Sequence, residues 1–405
     1  MKTRKTAVFL ILYILLLFPV AIVYAQQESD IVINYENDFE TFSLYRSAMG
    51  GVSITNIFNP YSFLINPSLT HLMDLPGNFY VSGAQLYIPA TNRDKFYPFY
   101  NYNNLVSLSD DESYLRSFQS LNSQYGYSGV LQFMVISKYF SIGVFTNSTF
   151  SMSYEDKGLP PALNFRIDED FMATFSLSFP LEYDIGGHYY LLSFGGRLQY
   201  IQRNTYMTKL NGDKAFLVLD DYVNSSVSED TFKSITNGYS KQNALALHLG
   251  ITLRFDFLVF GASYNNVSLP YEGILGTQFS RKVYNAKGEE LPATDAVYVI
   301  PSTLNTSFAL YFEDIAYLDI FKDFYIGVDV LDLFSEEFSL ENIKLGINAN
   351  LLGIINVMAG ADINSLSAGV SINVIFLDVG ISYNTNLHKE NKETDYVSFM
   401  LLFYF

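Results

Sequence analysis

The sequence predicts an all-β fold: a transmembrane antiparallel β-barrel of fourteen strands with an N-terminal segment in its lumen. Three observations predict it. The chain closes on Tyr396-Val-Ser-Phe-Met-Leu-Leu-Phe-Tyr-Phe405, with Val397, Phe399, Leu401, Phe403 and Phe405 on one face of an extended strand and Ser398, Met400, Leu402 and Tyr404 on the other. An unpaired apolar edge of this kind aggregates in water. In a closed barrel it pairs with the first strand and turns one face to lipid. The second observation is composition: 49% hydrophobic and 17% aromatic residues with 16% charged, yet after the first 25 residues no run approaches the ~18 apolar residues of a spanning helix. The third is period-two alternation, repeated along the chain.

The N-terminus reads as a secretory signal peptide. Lys2, Arg4 and Lys5 form a basic start, Ala7 to Ile22 is apolar, and Val23-Tyr24-Ala25 offers small residues before the polar run Gln26-Gln27-Glu28. Cleavage after Ala25 is expected, with export to the bacterial outer membrane. The chain has no Cys, so it is neither a lipoprotein nor disulfide-bonded. Thirty-two Tyr and 35 Phe, with no Trp, must supply the aromatic girdles of the barrel.

Strands follow from the alternation. Leu245, Leu247, Leu249, Ile251, Leu253 and Phe255 alternate with Ala244, Ala246, His248, Gly250, Thr252 and Arg254. Similar patterns occur over 171–179, 324–330, 368–374 and 377–384. One greasy and one small or polar face fits lipid outside and lumen inside. The full reading places strands over 79–88, 129–137, 139–152, 171–183, 190–206, 243–255, 257–268, 304–313, 323–331, 343–351, 354–361, 366–374, 376–384 and 396–405. Long segments follow the odd strands, notably 89–128, 153–170, 207–242 and 269–303, and short turns follow the even ones. Both termini are therefore expected in the periplasm. The exception is Asp362-Ile-Asn-Ser365, a short turn on the long-loop side.

Residues 26–78 do not read as a barrel strand. They carry Ser47-Ala48-Met49-Gly50-Gly51-Val52, then Asn59-Pro60 and Asn66-Pro67-Ser68-Leu69. The glycine pair permits close backbone approach or positive φ. Asn66 can cap a short helix with Pro67 at its first position. The expected organisation is a signal peptide over 1–25, a hatch over 26–78 and a barrel over 79–405.

This segment resembles the opening of the FadL-like and PorV/PorQ-like outer-membrane barrels, in which a stretch of the form Ala-Met-Gly-Gly-Ala … Asn-Pro-Ala-Gly-Leu precedes the first strand. Met49, Gly50, Gly51, Asn66 and Pro67 carry the match; Asn56 and Asn59 stand where acidic residues are usual. The C-terminal third is similar too, through Asp329-Val-Leu-Asp332, Lys344-Leu-Gly-Ile-Asn348, Gly360-Ala-Asp362 and Leu366-Ser-Ala-Gly-Val370. The FadL branch implies a fourteen-strand barrel plugged by a hatch, which binds hydrophobic molecules such as long-chain fatty acids and releases them through a lateral opening. The PorV branch implies a barrel that binds protein partners of a secretion system. A surface structural protein without a transport role is the third reading. Outer-membrane lipid and, through the C-terminal strand, the barrel-assembly machinery are further expected partners; no nucleic-acid partner is expected.

Candidate site residues fall in two further sets. Arg197, Arg203, His248 and Arg254 should face the lumen, as should Asp329 and Asp378. These charges either pair and hold the hatch or, for Arg197 or Arg254, anchor a ligand carboxylate. The aromatic run Phe96, Tyr97, Phe99 and Tyr100 is either a hydrophobic capture loop or an anchor in the membrane interface. The acidic pairs and triplet of the long loops, such as Asp110-Asp111-Glu112, read as solvated surface, or as weak divalent-cation sites or a field that repels anionic solutes. With no Cys, four scattered His and no Gly-x-Ser-x-Gly elbow, no enzyme, cofactor or metal is expected.

Overall fold

The computed structural model describes residues 33–34, 43–73, 78–89, 122–128, 132–155, 162–211, 239–267, 276–285, 290–291, 298–313, 321–333, 338–387 and 395–405. They form one sheet closed on itself, in which neighbouring barrel strands are antiparallel. Fourteen wall positions run around it. These are β1 (Phe79–Pro89), β2 (Asn122–Ser128 continued by Gln132–Ile136), β3 (Phe140–Glu155), β4 (Ala162–Ile185), β5 (His188–Asn211), β6 (Tyr239–Phe255) and β7 (Leu258–Val267 continued by Gly276–Tyr284). The circuit continues through β8 (Tyr298–Pro301 and Thr303–Glu313), β9 (Phe321–Val330), β10 (Ile343–Leu351), β11 (Ile355–Ala361), β12 (Ser365–Val374), β13 (Leu377–Asn386) and β14 (Tyr396–Tyr404). Closure is made by β14 on β1, with Phe403 opposite Val81 and Met400 opposite Gln85. The fold is therefore the closed fourteen-strand antiparallel barrel that the alternation predicts. No helix among the described residues is long and apolar enough to cross a membrane; the strands cross it.

Facing follows the sequence pattern. Leu245, Leu247, Leu249, Leu253 and Phe255 are exposed on the outside, while Ala246, His248 and Thr252 are buried inside. On β4, Phe171, Phe175, Leu177, Phe179, Leu181 and Tyr183 face out, and Thr174, Ser176 and Ser178 face in. This apolar belt is about as tall as the bilayer core requires of a tilted strand. Above it the outward residues turn polar, with Glu169 on β4, Gln202 and Asn204 on β5 and Lys241 and Asn243 on β6.

The wall does not stop where the belt does. β4 and β5 are 24 residues each and pair without a break from Ala162↔Asn211 to Ile185↔His188. The expected long loops 153–170, 207–242 and 269–303 are therefore shortened by strands. Tyr239 to Ala244 of β6 pair with Phe279 to Tyr284 of β7 inside that range. The reason is physical. A strand standing in water can be polar on both faces, because its ladder hydrogen bonds need no lipid-facing apolar row; the alternation then vanishes while the strand persists. The short turns lie as expected, for example Gly186 and Gly187 at positive φ between β4 and β5. The exceptional turn at 362–365 is closed by Asp362, whose Oδ1 accepts from the backbone N–H of Asn364 and Ser365 at 2.8 and 2.7 Å.

Residues 43–73 lie inside the barrel. α1 (Leu44–Ala48) is capped by Ser43, and two 3-10 turns follow at Ser62–Leu64 and Pro67–His71. Asn66 caps the second, its side chain accepting from the Ser68 N–H, with Pro67 at the first position. Nearly all of this segment is buried, including Met49, Val52, Ile54, Phe63 and Leu69 at 0% exposure. A barrel of this width has more lumen than wall side chains can fill, and the segment supplies the missing core.

Candidate functional site

The inner segment is seated on glycines of the wall. A Cβ on Gly346, Gly360 or Gly369 would lie within 3 Å of Met49, Gly50 or Ala48 atoms. On β5 and β6, a Cβ on Gly195 or Gly250 would meet Pro67, Ser68 or Asn66 at 2.1–2.3 Å. Gly261 on β7 meets Thr55 at 2.8 Å in the same way. Two bare patches of wall, on β5–β7 and β10–β12, thus receive the two sequence motifs. The seating also separates the two motif glycines. Gly50, at φ +65, lies with its own Cβ position 2.6 Å from the Ala361 backbone, so it is both conformationally and sterically restricted. Gly51, at φ +98, faces only the flexible Lys344 side chain at 3.4 Å, so its requirement is the backbone conformation. Asn66 and Pro67 sit against β5, β6 and β7.

Hydrogen bonds complete the seat. Asp329 on β9 accepts from the backbone N–H groups of Ser53 and Ile54 through Oδ2, at 2.7 and 2.9 Å, and from Ser307 through Oδ1. Asp378 on β13 accepts from the Tyr45 hydroxyl. Asn66 donates to the Ile54 carbonyl at 3.0 Å and to Thr252 Oγ1 at 3.1 Å, and Ser193 donates to the Ser68 carbonyl at 2.8 Å. Thr55 bonds Ser307 and Tyr325 at 2.7 and 2.9 Å. Ser367 donates to the Ala48 carbonyl at 3.0 Å. Asn56 and Asn59 work within the segment. Asn59 Oδ1 accepts from Ser43 Oγ and from the Tyr61 N–H, both at 3.0 Å, and Asn56 Oδ1 accepts from the Phe58 N–H at 3.1 Å.

The four basic candidates separate. Arg203 is buried and pairs with Asp170 at 2.5 Å, high on β4 and β5. Arg254 lies at the opposite, short-turn rim, paired with Glu313 at 2.7 Å, its guanidinium 5.3 and 5.0 Å from the Tyr189 and Tyr311 rings. Arg197 and His248 come together: they are register partners on β5 and β6, at 1% and 0% exposure. His248 Nδ1 is 3.2 Å from Asn265 Oδ1. In the same row Ser141 and Ser176 continue across β3 and β4. Among the described residues, Ser141 Oγ, Ser176 Oγ and His248 Nε2 are buried without a hydrogen-bond partner.

Two rows higher the same strands carry an apolar tier. Phe145, Met172, Ile201 and Ala244 are successive register partners on β3 to β6, and all are buried. Gly143 leaves room for the Phe145 ring, which would lie 2.4 Å from a Cβ there. That ring descends onto the inner segment, with centroids 6.1 Å from Tyr61 and 6.5 Å from Phe63. Next to this contact Ser82 of β1 pairs with Gln132 of β2, and further along β1 Gln85 pairs with Ser128. Phe96, Tyr97, Phe99 and Tyr100 and the signal peptide lie outside the described residues. Among the described residues, no group of His, Cys, Asp and Glu side chains could hold a metal ion.

These features define a class: a closed outer-membrane barrel whose lumen is occupied by its own N-terminal segment. No family model and no curated protein matches the chain. Among solved structures it is similar to a TodX monoaromatic hydrocarbon channel (deltaS2S3 mutant), at 12% identity over 89% of this chain and 97% of that one, with a TM-score of 0.45. The P. putida toluene transporter TodX is similar at 12% identity over 89% and 96%, TM-score 0.39. The outer-membrane phospholipase A of Escherichia coli is similar at 8% over 84% and 98%, TM-score 0.27. The fold stands on the strand pairings themselves.

Proposed function

We propose that this outer-membrane barrel passes small hydrophobic molecules inward, with residues 26–78 acting as its hatch. The observation that carries this reading is the pair of tiers above the inner segment. A water-filled pore keeps a polar interior. Here an apolar row of Phe145, Met172, Ile201 and Ala244 leads to Tyr61 and Phe63, and a row with Arg197, His248 and two serines lies below it. An apolar chain ending in a carboxylate fits that order, with Arg197 as the anchor. This supports fatty acids as cargo.

The test is compositional. Protein purified after gentle solubilisation should carry a hydrophobic compound into an organic extract, identifiable by mass analysis. Ile201→Asp should lose that compound while keeping heat-modifiable migration. An extract that is the same for both proteins would remove the reading.

A partner-binding barrel remains the second reading, favoured by one observation: β3 to β6 stand above the lipid belt as a tall polar wall. Surface crosslinking that captures a secretion component would support it.

A further inference from the structure

A cavity of about 450 Å³ opens on the short-turn side of the barrel, beneath the inner segment. Its size falls in the roughly 300–1,000 Å³ range of small-molecule sites. Tyr45 and Phe58 of the inner segment form its roof, and Tyr80 and Tyr404 of the closing strands form one side. The other side is polar. Asp378, Asp323, Asn350 and Asn356 line it.

Three observations point to a ligand. The first is chemical imbalance. Among the described residues the wall offers two carboxylates and three carboxamides against one ammonium, that of Lys322, whose residue is exposed; Asp378 also accepts from Tyr45 and Asp323 from Tyr311. The second is orphaned polarity. Among the described residues, Asn350 Oδ1 and Asn356 Oδ1, on register partners of β10 and β11, are both buried without a hydrogen-bond partner, and Asn356 is 3% exposed. Buried acceptors left unpaired are costly and uncommon. The third is strain. Ile375, which lines the cavity, has φ +52, and Leu352 in the adjoining turn has φ +55. A β-branched residue in the left-handed region is a genuine outlier, and such strain gathers at ligand sites.

We infer that this cavity binds a small molecule with an apolar ring and a protonated amine, taken from the periplasmic side. Ring faces from Tyr45, Phe58, Tyr80 and Tyr404 suit both an apolar ring and a cation. The carboxamide oxygens of Asn350 and Asn356 accept from the ammonium, and the negative charge of Asp323 attracts it. An anionic head is disfavoured here by Asp323 and Asp378, so the site differs in class from the arginine row above. The inference does not rest on the passage reading.

The test uses the full chain in detergent micelles and three probes that share one ring: 2-phenylethylamine, 3-phenylpropionate and ethylbenzene. Isothermal titration should show saturable binding of the amine, at least about tenfold tighter than the acid or the hydrocarbon. Asn356→Leu should weaken the amine about tenfold, the worth of one good hydrogen bond. Asp323→Asn, a conservative change at the rim, should weaken it as well, with heat-modifiable migration unchanged in both variants. Ile201→Asp should leave amine binding as it is, which separates this site from the lumen above. No saturable amine binding, equal binding of the acid, or indifference to both Asn356→Leu and Asp323→Asn would overturn the inference.

Discussion

Gly195 and Gly196 are chain neighbours with opposite surroundings. A Cβ on Gly195 would lie 2.3 Å from the Pro67 and Ser68 backbone, whereas one on Gly196 meets nothing nearer than 4.0 Å, at a Leu249 methyl. Gly195→Ala should therefore shift the inner segment and raise single-channel conductance in planar bilayers, while Gly196→Ala should conduct like the parent protein. Equal conductance in both variants would show that the seat on β5 does not hold the segment. Asp329 gives a second test at this scale. Its carboxylate serves two backbone N–H groups and a serine hydroxyl. Asp329→Ala should lower stability by roughly 2–6 kcal/mol, since the two buried backbone donors lose their acceptor at about 1–3 kcal/mol each, while the Ser307 hydroxyl keeps other partners. Urea titration in lipid vesicles would measure it. The carboxylates at 329 and 378 were legible as inward-facing from alternation alone; that they grip Ser53, Ile54 and Tyr45 was not, because the partners lie 275 or more residues away.

At the scale of the element, β5 carries its own control. Leu198 is exposed within the lipid belt, and Gln202, on the same outward face, stands above it. Leu198→Arg should cost roughly 2–4 kcal/mol near the bilayer midplane. Gln202→Arg should cost little. Refolding yields into vesicles, read as the heat-modifiable gel band, should separate the two; matching yields would mean that the belt is misplaced. The 362–365 turn responds to pH. Burial alone would raise the Asp362 carboxyl, but Lys344, at 2.6 Å, and the bonds from Asn364 and Ser365 hold it below the usual carboxylate range. A depressed folded-state value means that the carboxylate stabilises the turn above its unfolded value, about 3.9. That contribution fades as pH falls through the lower folded-state value. Asp362→Asn should then reduce the difference in melting temperature between neutral and acid buffers; an unchanged difference would assign acid sensitivity elsewhere. Legibility also differed among elements. β6 and β13 were plain in the sequence because one face meets lipid. The upper halves of β4, β5 and β7 were not, because a strand in water carries no apolar row.

For the whole molecule, the inner segment decides whether the barrel is open. Deleting 43–73 removes the groups that fill the lumen between the two glycine patches. The shortened protein should form a large, weakly selective pore in planar bilayers, and the intact protein should conduct little. Equal conductance would mean that the segment does not occlude the lumen, and the passage reading would lose its structural support. The sequence by itself determined the class of fold, the number of wall positions and which side chains meet lipid. Each of these depends on local periodicity set against a slab of hydrocarbon, and periodicity is written in the order of residues. Only the tertiary structure decided where the motifs of the inner segment rest, which of Gly50 and Gly51 meets the wall, and that Arg197 joins His248 while Arg203 and Arg254 pair elsewhere. Those contacts arise from closure of the sheet, which brings strands hundreds of residues apart to one lumen.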